Sequence, residues 1–175
     1  MVDPLVARSL IQKGIDRLAS PQRWADLGAG DGLFTQTLAA LLPPNSNVIA
    51  IDKSPNVLAR IPTRMGGSTI EKRSADFTHT GIIPDIVDGI LMANALHYVQ
   101  DQDAFLTTLL EKLNVTGRII IVEYDTDTPN AWVPYPISFA SLCRRFEQKF
   151  KTVTKMNDTP SVFHRASIYS ALLIP

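Results

Sequence analysis

Carboxylates and glycines recur in this chain at a spacing suited to holding a nucleoside. Asp26, Gly28, Gly30 and Gly32 fall within the stretch Trp24 to Thr35, WADLGAGDGLFT, and a further carboxylate, Asp52, follows about twenty residues on. Glycine reaches positive φ without steric cost and, lacking a Cβ, lets a ligand press against the backbone. An ionised carboxylate at the end of the next strand offers two oxygens to the two hydroxyls of a ribose. Farther on, Asp76-Phe77, Asn94 and His97-Tyr98 stand where strands are expected to end, and Tyr124, Trp132 and Tyr135 add aromatic groups.

Other nucleotide signatures do not fit. The dinucleotide fingerprint G-x-G-x-x-G requires a glycine where this chain has Leu33, and the P-loop G-x-x-x-x-G-K-[ST] does not occur. None of Tyr98, Tyr124, Tyr135 and Tyr169 is followed four positions later by lysine, as a short-chain dehydrogenase requires.

The D-x-G-x-G-x-G arrangement of Asp26 to Gly32 resembles motif I of the class I S-adenosylmethionine-dependent methyltransferases. The resemblance continues through Ile49-Ala50-Ile51-Asp52, Ser74-Ala75-Asp76-Phe77, Asp88 to His97 and Gly117 to Glu123, covering roughly residues 20 to 125. It implies S-adenosylmethionine as cofactor. It also implies that the backbone of Gly28, Ala29, Gly30 and Gly32 meets the methionine moiety, with Asp26 holding the ammonium directly or through water. Asp52, beside Lys53, would take the ribose hydroxyls, Asp76 the adenine amino group, and Phe77 a place beside the base. Asn94 stands where the chain passes the transferable methyl group. The implied fold is a single doubly wound, Rossmann-like α/β domain with a seven-stranded, mostly parallel sheet of order 3-2-1-4-5-7-6, strand 7 antiparallel.

The chain departs from the nitrogen methyltransferases that follow an Asp or Asn here with two prolines and an aromatic residue. It has Asn94-Ala95-Leu96-His97 instead. Because a sulfonium is already activated, the main task is to align the acceptor, and a base helps only where the acceptor must lose a proton. His97 is the candidate base, a structural role in its turn being equally open. Tyr98 and Tyr124 are its neighbours in a substrate pocket, Trp132 and Tyr135 a candidate aromatic wall, and Glu123 and Asp125 further substrate contacts. His79 and His164 have no supporting pattern, and no metal site is expected. The acceptor is expected to be a small molecule; RNA or protein methylation, and a non-catalytic binding subunit, are the alternatives.

The elements that must position these residues alternate between strand and helix. Leu10, Ile11, Ile15 and Leu18 share one face of a helix over Val2 to Ala19, a lid or packing segment that sets residues 1–20 apart from a domain over 21–175. Strands are expected at Trp24 to Leu27, Asn47 to Ile51, Thr69 to Arg73, Ile86 to Ala93 (after Pro84 and Asp85) and Ile119 to Val122. Helices are expected from Leu33 to Leu42, from the Ser54-Pro55 cap to Pro62, and from Asp101 or Asp103 to a close at Asn114 and Gly117. Met65-Gly66-Gly67 reads as a loop. Phe139, Leu142, Phe146 and Phe150 mark a last helix, and strands around Val153 and from Tyr169 to Ile174 can pair as an antiparallel hairpin.

A chain of 175 residues suits one domain that buries about 70% of its unfolded surface without a staple. Cys143 is the only cysteine, so an internal disulfide is impossible and a reducing, cytoplasmic compartment is expected. No signal pattern or membrane-length apolar run occurs. Seventeen basic and seventeen acidic residues cancel, which argues against general nucleic-acid binding. The charges are uneven: residues 76–130 carry nine acids against two bases, while Arg144, Arg145, Lys149, Lys151, Lys155 and Arg165 outnumber Glu147 and Asp158. That segment is either ordinary solvated surface or a basic rim for an acidic partner.

Overall fold

In the computed structural model, which describes residues 3–16, 18–79, 86–160 and 167–175, the central strands are buried along nearly their whole length, and the core their side chains enter alternates with period two. Val2 and Arg17 of the expected first helix, Pro84, Asp85, His164 and Arg165 lie outside the described residues. Val48 and Ala50 of β2 (Asn47–Asp52) enter one core, while Ile49 and Ile51 enter another. Ile119 and Ile121 of β6 (Leu113–Tyr124) part in the same way from Ile120 and Val122. Apolar on both faces, such strands must be covered twice, which makes a three-layer α/β protein. α1 (Pro4–Ile11), α2 (Leu33–Leu41) and α3 (Pro55–Leu58) cover one face through Leu10, Leu38 and Leu58; α4 (Gln102–Leu110) and α5 (Phe139–Phe146) cover the other through Leu106, Leu142 and Phe146. Burying each such side chain contributes about 1.5–3 kcal/mol.

The sheet has eight strands in the order β3-β4-β2-β1-β5-β6-β8-β7, where β1 is Arg23–Leu27, β3 Arg64–Met65, β4 Ser68–Ser74, β5 Val87–Ala93, β7 Thr152–Pro160 and β8 Ser167–Ile174. The expected seven-strand order is thereby corrected. Met65-Gly66-Gly67 is not a plain loop: Gly66 and Gly67 both take positive φ, 58° and 92°, and form a two-residue hairpin turn that adds β3 at the sheet edge. The core pairings from β4 through β6 are parallel. β8 runs antiparallel to β6 and β7 antiparallel to β8, giving the terminal hairpin.

Several helix boundaries differ from expectation: α3 stops at Leu58, short of Pro62 and without a side-chain cap from Ser54, and Phe150 lies beyond the end of α5. The α4 helix ends before Asn114 and Gly117, which belong to β6: Leu113 pairs with Val87, and Asn114 Nδ2 donates a hydrogen bond to Asp88. Sheet pairing there overrides the helical spacing of Leu106, Leu109, Leu110 and Leu113. At the amino end the α-helix stops at Ile11, and a short 3-10 turn, Gln12–Gly14, follows. Gly14 lies so close to β6 that a Cβ on it would come 2.6 Å from Ile120 Cδ1. Of the two candidate caps for α4, Asp101 fills the role, its Oδ1 accepting the Ala104 N–H at 3.0 Å. Asp103 instead meets Arg145.

Candidate active site

Adjacent β1 and β2 bring the glycine turn and Asp52 together at the carboxyl ends of these central strands. The N–H groups of Gly28 and Ala29 donate to Ile51 O at 2.9 and 3.0 Å, so the turn is moored to β2. Gly30 N–H donates to Asp52 Oδ2 and Ser54 N–H to Asp52 Oδ1, both at 2.9 Å. Each carboxylate oxygen is fixed by one backbone donor and keeps a further lone pair for a ligand. Gly28, Gly30 and Gly32 have φ of 79°, 53° and 85°. A Cβ on Gly28 would come 2.8 Å from the Ala95 Cβ, whereas one on Gly30 would meet nothing within 4 Å. Gly30 thus presents bare backbone to open space, as a ligand pressing on this turn requires.

That space is a cavity of about 570 Å³ that brings together Gly28, Gly30, Asp52, Lys53, Asp76, Phe77, Asn94 and Tyr98, with Thr78 and Ala95 besides. Thr78 donates both its N–H, at 3.0 Å, and its hydroxyl, at 2.7 Å, to Asp76 Oδ1. These bonds hold the Asp76 carboxyl below its usual range. The exposed His79 lies 3.8 Å from the other oxygen. Asn94 has φ 52°, its N–H is held by Val122 O at 2.8 Å, and its buried Oδ1 meets no hydrogen-bond partner among the described residues. An unpaired buried oxygen beside a cavity suits a ligand donor. Volume, bare backbone, paired acids and this oxygen together fit an adenosyl amino acid such as S-adenosylmethionine.

Asp26, Ala29 and Gly32 support the turn from outside the cavity lining. Asp26 is 1% exposed, and Thr35, which sequence reasoning had not singled out, donates its hydroxyl to Oδ2 at 2.5 Å. Burial pushes the Asp26 carboxyl up to about 7; the Thr35 bond opposes the rise and the charge of Asp52 adds to it. The folded protein then binds this proton more tightly than the unfolded chain. Its stabilising share is whole below about pH 4 and is lost as pH rises through about 7. Asp26→Asn should therefore gain in melting temperature over wild type between pH 5 and pH 8. A pH-independent difference would show that Asp26 titrates normally.

His97 is 3% exposed and lies outside the cavity lining. Its Nδ1 sits 2.7 Å from Glu123 Oε2, and its backbone N–H donates to Glu123 Oε1 at 3.2 Å. Glu123, 1% exposed, is therefore the partner of His97, which is not how it was read from the sequence. The Tyr98 ring lies 4.3 Å from the imidazole and that of Tyr124 6.3 Å. Burial, then Glu123 and Tyr98, push the Tyr124 phenol up, away from any role as a base. Tyr135 N–H donates to His97 O at 3.0 Å, while Trp132 projects at 75% exposure. Asp125 accepts the Phe139 N–H at the start of α5 on Oδ1 and meets Lys155 through Oδ2, and it lines neither the cavity around Asp52 nor the one around Tyr135.

The fold and cavity define a Rossmann-like α/β protein built for a nucleoside ligand. The chain belongs to the methyltransferase domain family, whose model matches residues 25–121, and is an S-adenosylmethionine-dependent methyltransferase of class I. No curated protein matches the chain. Among solved structures it is similar in fold to an S-adenosylmethionine-dependent methyltransferase of Leishmania major, with 18% identity, 96% of this chain and 72% of that one covered, and a TM-score of 0.74. The N-terminal domain of EvdMO1 with S-adenosylhomocysteine bound has 15% identity, coverages of 99% and 82%, and a TM-score of 0.69. Magnesium protoporphyrin IX methyltransferase from Synechocystis with S-adenosylmethionine bound has 14% identity, coverages of 98% and 79%, and a TM-score of 0.68.

Among the described residues, no helix is long and apolar enough to cross a membrane, and no three His, Cys, Asp or Glu side chains gather to hold a metal ion.

Proposed function

We propose that the protein transfers the methyl group of S-adenosylmethionine to a small-molecule acceptor in the cytoplasm, residues 21–175 forming the catalytic domain and residues 1–20 a segment packed on it. The cofactor supplies a methyl group already activated on sulfonium sulfur. Asp52 receives the ribose hydroxyls, Asp76 the adenine amino group, and the backbone of Gly28 to Gly32 the methionine moiety, with Asp26 charge-balancing its ammonium from behind the turn. Asn94 and Tyr98 border the reacting end. Catalysis rests on alignment; His97, buried against the Tyr98 ring and outside both cavity linings, is either the base for a hydroxyl acceptor or a structural part of its turn. A carboxylate only accepts, so the Nδ1 proton is directed at Glu123 and Nε2 keeps a lone pair for the acceptor's proton.

The observation that carries the small-molecule reading is where the basic residues go. Arg145 and Lys149 meet Asp103 at 2.5 and 3.7 Å, and Lys155 meets Asp125 at 3.1 Å, so three bases of the segment are already matched by carboxylates of this chain in partly exposed pairs. A fold neighbour named for magnesium protoporphyrin IX supports the same reading. The test adds protein and labelled cofactor to a native cell extract split by size. Label is expected in the small-molecule fraction; label confined to RNA or protein, and abolished by raised salt, would overturn the reading. Asp76→Ala should weaken S-adenosylhomocysteine binding less than Asp52→Ala, since it removes one contact at an exposed group. The reverse ranking in calorimetry would contradict these placements.

A further inference from the structure

A second cavity, of about 420 Å³, adjoins the first and shares Thr78 and Tyr98 with it. We propose that this second cavity is the acceptor site, and that it takes a small planar aromatic compound that is neutral or cationic. The inference rests on the methyl-transfer reading above.

The groups suited to a nucleoside, Asp52, Asp76 and the glycine backbone, all line the first cavity, whereas the second is walled by Tyr98, Phe105 and Tyr135. Phe105 is buried, while Tyr98 and Tyr135 remain 53% and 39% exposed, an unusual exposure for large rings in a concave site. Exposed ring faces flanking a cleft stack well on another flat ring. Both rings are held in place: Tyr98 lies against His97, and the backbone of Tyr135 is fixed by His97 O at 3.0 Å and by Gln102 Nε2 at 2.8 Å. Among the described residues neither lysine nor arginine lines the cleft, so none of them neutralises a carboxylate or phosphate there. Among the described residues its charged side chain is Asp101, which repels anions and tolerates an ammonium. The volume falls at the lower end of the range for small-molecule pockets. Tyr98, which lines the first cavity together with Asn94, belongs to the walls of both cavities, as does Thr78.

The test uses the whole protein loaded with S-adenosylhomocysteine and three probes, phenol, benzylamine and benzoate, followed by saturation-transfer NMR. Phenol and benzylamine are expected to bind and benzoate at least tenfold more weakly. Thr108→Trp, on the solvent-facing side of α4, fills the cleft and should weaken phenol and benzylamine at least tenfold while changing S-adenosylhomocysteine affinity less than twofold. Ala104→Leu should act in the same direction. Absence of phenol and benzylamine binding up to about 10 mM, or binding unaffected by Thr108→Trp, would overturn the proposal. So would an equal loss of S-adenosylhomocysteine affinity, which would assign the cleft to the cofactor. Failure of the unmodified protein to bind S-adenosylhomocysteine would instead sink the methyl-transfer reading.

Discussion

Asp52→Ala is expected to raise the dissociation constant for S-adenosylhomocysteine at least tenfold, and by more than any other single change in the cofactor cavity. A tenfold loss needs only about 1.4 kcal/mol, and each hydrogen bond to a charged acceptor contributes roughly 1.5–3 kcal/mol. Asp52 also shapes the turn: its oxygens hold the N–H groups of Gly30 and Ser54 at 2.9 Å each, so removing them frees the backbone that faces the ligand. Asp52→Asn separates the two contributions. An amide keeps the shape and one acceptor oxygen but opposes a donor to the second backbone N–H and the second hydroxyl, so its loss should fall between wild type and alanine. Titration calorimetry reads both variants, with near-UV circular dichroism confirming that they fold. Unchanged affinity in a folded alanine variant would remove Asp52 from the site.

Much of this geometry was legible because it is local. The glycines before Leu33 and the carboxylate closing Asn47 to Asp52 lie at the ends of elements whose periodicity is strong, and parallel pairing of β1 with β2 does the rest. The Asp76 turn was equally open to reading, since Asp-x-Thr places a hydroxyl and an N–H within reach of the carboxylate two residues before. What stayed hidden was either too short or too distant in the chain. Arg64–Met65 spans two residues, too few to express a strand period, although Gly66-Gly67 is itself a hairpin signal. Leu113 continues the helical spacing of α4, yet only its pairing with Val87 shows that it starts a strand. Composition separated the acidic stretch from the basic one, but about forty residues of chain lie between Asp103 and Arg145, and the packing of α4 beside α5 is what neutralises them. The Glu123 and His97 pair was hidden for the same reason, its members ending neighbouring elements 26 positions apart.

Breaking that pair should have the largest effect on stability. With His97 3% and Glu123 1% exposed, Glu123→Ala strands the imidazole and the His97 N–H in a dry site. Removing one partner of a buried pair costs about 3–5 kcal/mol, which for a chain of this size lowers the melting temperature by roughly 6–20 °C. Glu123→Gln is the more informative change. Its amide oxygen can still accept the His97 N–H, while its NH₂ now faces Nδ1 and donates to it. Nδ1 must then carry the lone pair and Nε2 the proton, the reverse of the arrangement that Glu123 imposes. The fold should largely survive, with a melting temperature well above that of Glu123→Ala, but His97 can no longer take a proton through Nε2. With a hydroxyl acceptor, kcat should fall at least tenfold while cofactor affinity holds within twofold; with an amine acceptor that is already deprotonated, kcat should change little. His97→Gln, which keeps a hydrogen bond but cannot accept the proton, should repeat that contrast. Turnover of hydroxyl acceptors at the wild-type rate in a stable Glu123→Gln variant would show that the pair holds the turn and that His97 is not the base.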